Sequence, residues 1–306
     1  MKEATTLEPR NCFLCGSSNL VSVNYLRLNS DSFKRNLAYF LPRFVAEFLS
    51  NASDRFSTAY HPVSVNKKYF DRTAVFCLNC LTGSCQPVFE KDVLDNYYRD
   101  FYWLNRDAGD GQHVAHDDRP NDRQLSLSRE RIAWIKLYLH KFDSVIDFGA
   151  GDCAAAYIFS REENVNAATV VDPSMRASVF AEKYRLGYST DLAEAPIVDM
   201  IYSAHSIEHV HDFRVVMTDL VAKVRPGGHI FIETPNIGDL DVFSRLPHTP
   251  HTFMLSQSSF HFLESAFPVS IVAMESCGPL WRRNKKQIVS DERADLRVLL
   301  RKAGDA

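Results

Sequence analysis

Apolar and polar positions change rhythm twice along the chain. Before residue 104, short apolar runs alternate with cysteine-bearing turns. From 104 to 124 the chain reads LNRDAGDGQHVAHDDRPNDRQ, a polar stretch with few apolar residues that suits a linker or lid. Beyond it, short apolar runs alternate with helical periods. Ser128 opens a predicted helix over 128–140, with Ile132, Ile135 and Leu139 on one face. SVIDFG at 144–149 reads as a buried strand, followed by a helix through CAAAYIFSREE. AATVVD at 167–172 is a strand, and a helix follows over 174–185. DMIYSAH at 199–205 is a strand, and Asp212 caps a helix that runs to Val224 and stops at RPGG. HIFIETP at 229–235 is the next strand, residues 256–266 form a helix and 268–274 a strand. Strands separated by helices of this length imply right-handed βαβ units and a doubly wound, mostly parallel sheet. Ligands in such sheets sit at the carboxyl ends of the strands. Here those ends carry Gly149, Gly151, Asp172, His205 and Asn236.

Composition narrows the partners. The chain has 306 residues, 45% of them hydrophobic, so a substantial core is expected. Thirty-five basic and 38 acidic residues give a formal charge of -3. A nucleic-acid partner is disfavoured by the lack of a basic excess. The start, MKEATTLEPR, has no apolar leader-like stretch and no run is long enough to span a membrane, so a cytoplasmic location is expected. Seven cysteines are an odd number, and five of them precede residue 90. Clustered cysteines in a reducing compartment more often bind metal than pair.

Cys12-x-x-Cys15 and Cys77-x-x-Cys80 are two knuckles, each in a short turn with glycine just behind. That spacing directs four thiolates at one tetrahedral structural zinc ion, which leaves no open position for catalysis. Cys85 is a spare, read as a buried apolar residue. Between the knuckles, residues 31–51 carry a helical apolar period that Pro42 interrupts, an amphipathic insert.

The glycine loop presents a choice of cofactor. Gly149-Ala150-Gly151-Asp152-Cys153-Ala154 matches the G-x-G-x-x-A dinucleotide fingerprint. Asp172 lies about 20 residues on, where a ribose-binding acid belongs. Asp147 and Asp152 oppose a pyrophosphate, because like charges a few ångströms apart cost on the order of several kcal/mol at an effective dielectric near 20. A cofactor bearing an ammonium and a sulfonium is attracted instead. S-adenosylmethionine is such a molecule, with one ribose for Asp172.

The stretch from 144 to about 275 resembles a class I S-adenosylmethionine-dependent methyltransferase. VIDFGAGDC is similar to the first motif of that family, VVDPS to the second, DMIYSAHSIEHVHDF to the fourth-strand motif and LVAKVRPGGHIFIETPN to the segment after it. The resemblance implies a seven-stranded Rossmann-like sheet. It places Asp147, Gly149 and Gly151 at the methionine end of the cofactor, Asp172 on the ribose, and Ser203 and His205 beside it. Asp191 and Leu192 stand where the family contacts adenine, although a plain capping aspartate reads equally well. Cys153 replaces the family's third glycine.

CFLCGSS, FCLNCLTGSCQPVF and the aromatic NYYRDFYW at 96–103 are similar to the opening of the sugar C-methyltransferases of deoxysugar biosynthesis. That likeness implies a zinc module over 1–95, an aromatic segment and lid over 96–127, and a catalytic domain over 128–306. The acceptor is then a small molecule, a sugar nucleotide or a natural-product intermediate. Those relatives carry a further large C-terminal domain; here some thirty residues remain, ending in the charged DERADLRVLLRKAGDA. In HTPHTFMLS at 248–256, His251 matches the family's histidine, His248 stands at a tyrosine position and Pro250 replaces a glutamate. A hydroxyl or carbon nucleophile must shed a proton, and histidine accepts one near neutral pH. His251 is the first candidate base, His209 in EHV the second, with His248 beside them. Methylation of RNA or protein, and a binding subunit without chemistry, stay open as other functions.

Overall fold

The computed structural model describes residues 11–24, 73–100, 119–163, 165–237, 251–277 and 295–304. His248, the insert at 31–51 and most of the 104–124 segment lie outside the described residues. A seven-stranded sheet forms the body. Its strands are β4 (Ser144–Phe148), β5 (Ala167–Val171), β6 (Gly187–Ser189), β7 (Val198–Ala204), β8 (Val224–Pro235), β10 (Val269–Cys277) and β11 (Asp295–Lys302). Their order is β10-β11-β8-β7-β4-β5-β6. The pairs from β8 through β7, β4 and β5 to β6 are parallel. β11 runs antiparallel to both neighbours. Strand order reverses at β4, so the carboxyl end of β4 is the crevice where such sheets take ligands.

Helices cover both faces: α2 (Asp122–Lys136), α3 (Ala154–Arg161), α4 (Met175–Tyr184), α5 (Phe213–Lys223) and α6 (Gln257–Ala266). The period-two alternation of strands divides the core. Ile146, Ile201, Ile230, Ile232, Val298 and Leu300 pack with Met217 and Leu220 of α5 and Phe260 and Leu263 of α6. Val145, Met200, Tyr202, Phe231 and Leu299 pack with Ile132 and Ile135 of α2 and Ile158 and Phe159 of α3. Among the described residues no helix is long and apolar enough to cross a membrane.

Several element boundaries differ from expectation. The helix expected over 128–140 begins at Asp122, where Asn121 caps it by accepting from the Arg123 N–H, and ends at Lys136. Its first turn is polar because it is exposed, so it reads like the linker before it. Ser128 is a buried residue inside the helix rather than its cap. The strand expected at 229–235 starts at Val224, with the glycine pair inside it. The charged ending is the largest departure: Asp295–Lys302 is an interior strand of the sheet, lodged between β8 and β10.

A second, four-stranded sheet has the order β1-β2-β3-β9, from β1 (Leu20–Asn24), β2 (Thr73–Cys77), β3 (Gly83–Gln86) and β9 (Phe253–Met254). β9 comes from the catalytic half and pairs with β3 at Gly83 and Ser84. The cysteine module is thereby tied to the body. Phe13 packs on Phe213 and Phe253, with ring centroids at 5.4 and 4.7 Å. Arg214 Nη1 donates to the Leu14 carbonyl at 3.1 Å. α1 (Lys91–Asp100) follows this sheet and leads toward the crevice.

Candidate active site

A cavity of about 720 Å³ opens at the carboxyl end of β4. Its wall takes residues 147–152 from the end of β4 and the loop after it, Val171, Asp172 and Pro173 from the end of β5 onward, and Asp191 and Leu192 beyond β6. It also takes His205, Glu208 and His209 after β7, His251 before β9, and Leu94 and Tyr98 from α1.

The β4 loop needs its glycines. Gly149 and Gly151 have φ of +73° and +55°, the left-handed region that side chains avoid. A Cβ on Gly149 would stand 2.1 Å from Ser206 Oγ and 2.5 Å from Ser206 Cβ, so this position is closed to every other residue. Cys153, at the family's third glycine, also holds a left-handed φ of 61° and is fully buried ahead of α3.

The acids are built in firmly. Asp147 is buried, and its Oδ2 accepts from the Ala156 N–H at 3.0 Å, satisfying one open donor of the α3 amino end. Burial pushes its pKa up to about 7 against that N–H, and the charges of Asp152 and Asp172 add to the rise. Asp172 accepts from the Gly151 N–H at 2.9 Å and the Ser174 N–H at 2.8 Å. Burial raises its pKa, with those donors opposing. Asp191 caps a short 3₁₀ turn, Leu192–Glu194, through the Ala193 N–H, and both Asp191 and Leu192 face the cavity. Ser203 is buried within β7 and does not line the cavity; its neighbours Tyr202 and Ala204 do.

His205 ends β7 in a left-handed conformation, φ 53°, and its ring meets three carboxylates. Nδ1 lies 3.5 Å from Glu208, while Nε2 lies 3.3 Å from Glu233 and 3.9 Å from Asp295. Burial alone would lower its pKa, but Glu208, Glu233 and Asp295 raise it to about 10. The three carboxylates thus favour the protonated form of His205. Behind it, Glu233 Oε1 accepts from Arg131 Nε at 2.6 Å and Oε2 from Arg297 Nε at 2.5 Å. Burial would raise the Glu233 pKa, yet His205 and Arg131 hold it well below the usual carboxylate range.

His209 and His251 come together across the cavity wall, ring centroids 4.7 Å apart and edge to face. Tyr98 meets His209 at 5.7 Å. His209 Nε2 lies 3.8 Å from Glu208 Oε1. Glu208, on the 3₁₀ turn Ile207–His209, is 1% exposed. Burial would raise its pKa, and His205 and His209 bring it below its ordinary value. Sequence reasoning passed over Glu208; the only available signal was its place directly before a candidate histidine.

The four cysteines gather as their spacing predicts. All four sulfurs lie within 4.8 Å of one another, and none is in a disulfide. Cys12 and Cys80 sulfurs are 3.5 Å apart, Cys15 and Cys77 sulfurs 3.6 Å. A tetrahedron with metal–sulfur bonds of ~2.3 Å has edges of about 3.8 Å, so the set fits a tetrahedral ion. The Leu14 N–H at 3.4 Å and Asn79 Nδ2 at 3.5 Å donate to sulfurs of the cluster. Cys85 is buried in the apolar cluster beside Phe76 and Met254, apart from the four.

A glycine loop and two strand-end acids at the reversal of a seven-stranded sheet define a doubly wound enzyme for an adenosyl cofactor. The methyltransferase-domain family matches residues 115–304, and the chain belongs to that family; it is an S-adenosylmethionine-dependent methyltransferase. No curated protein matches the chain. Among solved structures, it is similar to Burkholderia thailandensis 1,6-didemethyltoxoflavin-N1-methyltransferase, with bound 1,6-didemethyltoxoflavin and S-adenosylhomocysteine. That pair is 16% identical at a TM-score of 0.50, covering 78% of this chain and 97% of the other. A SAM-dependent methyltransferase from Archaeoglobus fulgidus is 17% identical, TM-score 0.44, covering 58% and 94%. One from Mesorhizobium loti is 16% identical, TM-score 0.45, covering 58% and 100%.

Proposed function

We propose that the protein transfers the methyl group of S-adenosylmethionine to a small molecule held in the cavity, with the cysteine module carrying a structural zinc ion. The observation that carries this reading is the acid-lined crevice at the glycine loop. Asp147 receives the cofactor's ammonium, the 149–151 backbone lies along its methionine part and Asp172 takes the ribose hydroxyls. A cation arriving beside Asp147 favours its ionised carboxylate and offsets the burial that pushes its pKa up. Asp191 and Leu192 border the adenine.

The cavity volume falls in the range of small-molecule sites, roughly 300–1,000 Å³. That size and the absence of a basic excess favour a small acceptor over RNA. The Burkholderia thailandensis fold neighbour holds 1,6-didemethyltoxoflavin and S-adenosylhomocysteine together, the arrangement proposed here. Tyr98 and Leu94 offer that acceptor a wall, and a sugar nucleotide or natural-product intermediate suits it. Methyl transfer is an in-line displacement, so the cofactor supplies the electrophile and the enzyme supplies alignment and an exit for the acceptor's proton. Glu208, His209 and His251 line the cavity where that proton leaves.

Zinc in the four-thiolate site would brace the segment bearing His251. Cys85 N–H donates to the Thr252 carbonyl at 2.9 Å, and Ser259 Oγ to the Cys80 carbonyl at 3.3 Å. The test is a methyl-transfer assay with labelled S-adenosylmethionine over a panel of nucleotide sugars and small natural-product acceptors, beside tRNA and peptide pools. Labelling confined to RNA or peptide would overturn the small-molecule reading.

A further inference from the structure

We propose that Glu208, His209 and His251 bind one divalent transition-metal ion inside the cavity, and that this ion takes the oxygen of the methyl acceptor. The ion's role rests on the methyltransferase reading above. One carboxylate oxygen of Glu208 and one ring nitrogen from each histidine lie within 4.8 Å of one another. Two imidazoles and one carboxylate form a donor set suited to manganese, iron, nickel or zinc.

Glu208 supplies the second observation. Thr234 Oγ1 donates to its Oε2 at 3.4 Å. Its Oε1 is buried and accepts no hydrogen bond among the described residues. The nearest nitrogens, His205 Nδ1 at 3.5 Å and His209 Nε2 at 3.8 Å, are at ion-pair distance. Oε1 is thus held by ion-pair contacts alone and keeps a lone pair that an incoming ion can take.

The supports are in place before an ion arrives. Glu208 and His209 share one short turn at the end of β7. Thr252, next to His251, donates its N–H to the Glu208 carbonyl at 2.7 Å, which locks the two segments together. The adjacent group of His205, Glu233 and Asp295 also converges within 4.8 Å. It is no cation site, because both Glu233 oxygens already take guanidinium donors from Arg131 and Arg297.

With Glu208, His209 and His251 as ligands, the histidines need not accept a proton. An acceptor hydroxyl on the ion becomes more acidic and releases its proton to solvent. The resulting oxygen's lone pair attacks the cofactor's methyl carbon. The C–O bond forms as the C–S bond breaks, and sulfur keeps the electron pair as a neutral thioether. The acceptor is accordingly a molecule with a hydroxyl that can coordinate a cation.

The experiment titrates Mn2+ into the whole protein, dialysed until it carries a single zinc ion per chain that is lost in Cys80→Ser, and follows it by electron paramagnetic resonance. Manganese favours oxygen and imidazole donors and leaves a thiolate cluster alone. One Mn2+ per chain is expected, with affinity lowered at least tenfold in Glu208→Gln and in His251→Asn. S-adenosylhomocysteine titration on the same samples reports whether each variant stays folded at the loop, and either variant alone suffices. Wild-type protein that binds S-adenosylhomocysteine but not Mn2+ would overturn the metal site and leave the methyltransferase standing. So would Mn2+ affinity unchanged in both variants. Failure of the wild type to bind S-adenosylhomocysteine would instead sink the methyltransferase reading, and the ion's role with it.

Discussion

Replacing Asp147 with asparagine should make the protein more stable and its cofactor binding worse. Burial, with Asp152 and Asp172 nearby, lifts the Asp147 pKa from 3.8 to about 7. The folded protein thus resists ionising this group while the unfolded chain does not. Stability from the protonated group is complete below the ordinary carboxylate pKa and is lost as pH rises through about 7. A rise of about 3 units at ~1.4 kcal/mol each sets a ceiling near 4 kcal/mol on the penalty at alkaline pH. Asparagine removes the charge and keeps an oxygen for the Ala156 N–H. Urea unfolding of both proteins should show the variant more stable by roughly 1–3 kcal/mol at about pH 8.5, a gain that falls by about half near pH 5.5. Calorimetric titration with S-adenosylmethionine should show affinity reduced tenfold or more, since the ammonium loses its partner. A variant less stable at alkaline pH, or one that binds the cofactor as the wild type does, would refute the reasoning.

Three further outcomes follow from packing and charge. Gly149→Ala should cost at least ~2 kcal/mol, from left-handed strain and the clash with Ser206, and abolish cofactor binding; adding Ser206→Gly should recover stability only in part, as a double-mutant cycle would show. Arg131→Ala should cost about 1.5–3 kcal/mol by thermal or urea unfolding, because Glu233 loses one buried charged donor while Arg297 and His205 remain. Elemental analysis should find one zinc per chain, lost in Cys80→Ser together with a lowered melting temperature.

The parallel strands were readable because both their faces are buried and the runs between them carry helical periods. The glycine loop was readable because a left-handed turn admits few residues. The last strand was hidden by its charges: Arg297 is buried only because Glu233 and Glu130 reach it from β8 and α2, and no local pattern announces partners so distant in sequence. The first turns of α2 were hidden for the opposite reason, since Asp122 and Arg123 face solvent and resemble a linker. At the site, the gathering of the four cysteines could be expected from their spacing, and His209 and His251 were candidates through the family resemblance. Glu208 could not be named, because what marks it is burial beside two histidines, which no local pattern announces. Ser203, expected beside the cofactor, is buried within β7, because resemblance locates the strand end without fixing which residues along it face the cavity.

Calorimetric titration of the purified protein with S-adenosylhomocysteine, and in parallel with NAD, tests the central claim most directly. One adenosyl ligand per chain and no response to NAD is the expected result. Uptake of NAD with indifference to S-adenosylhomocysteine would contradict it.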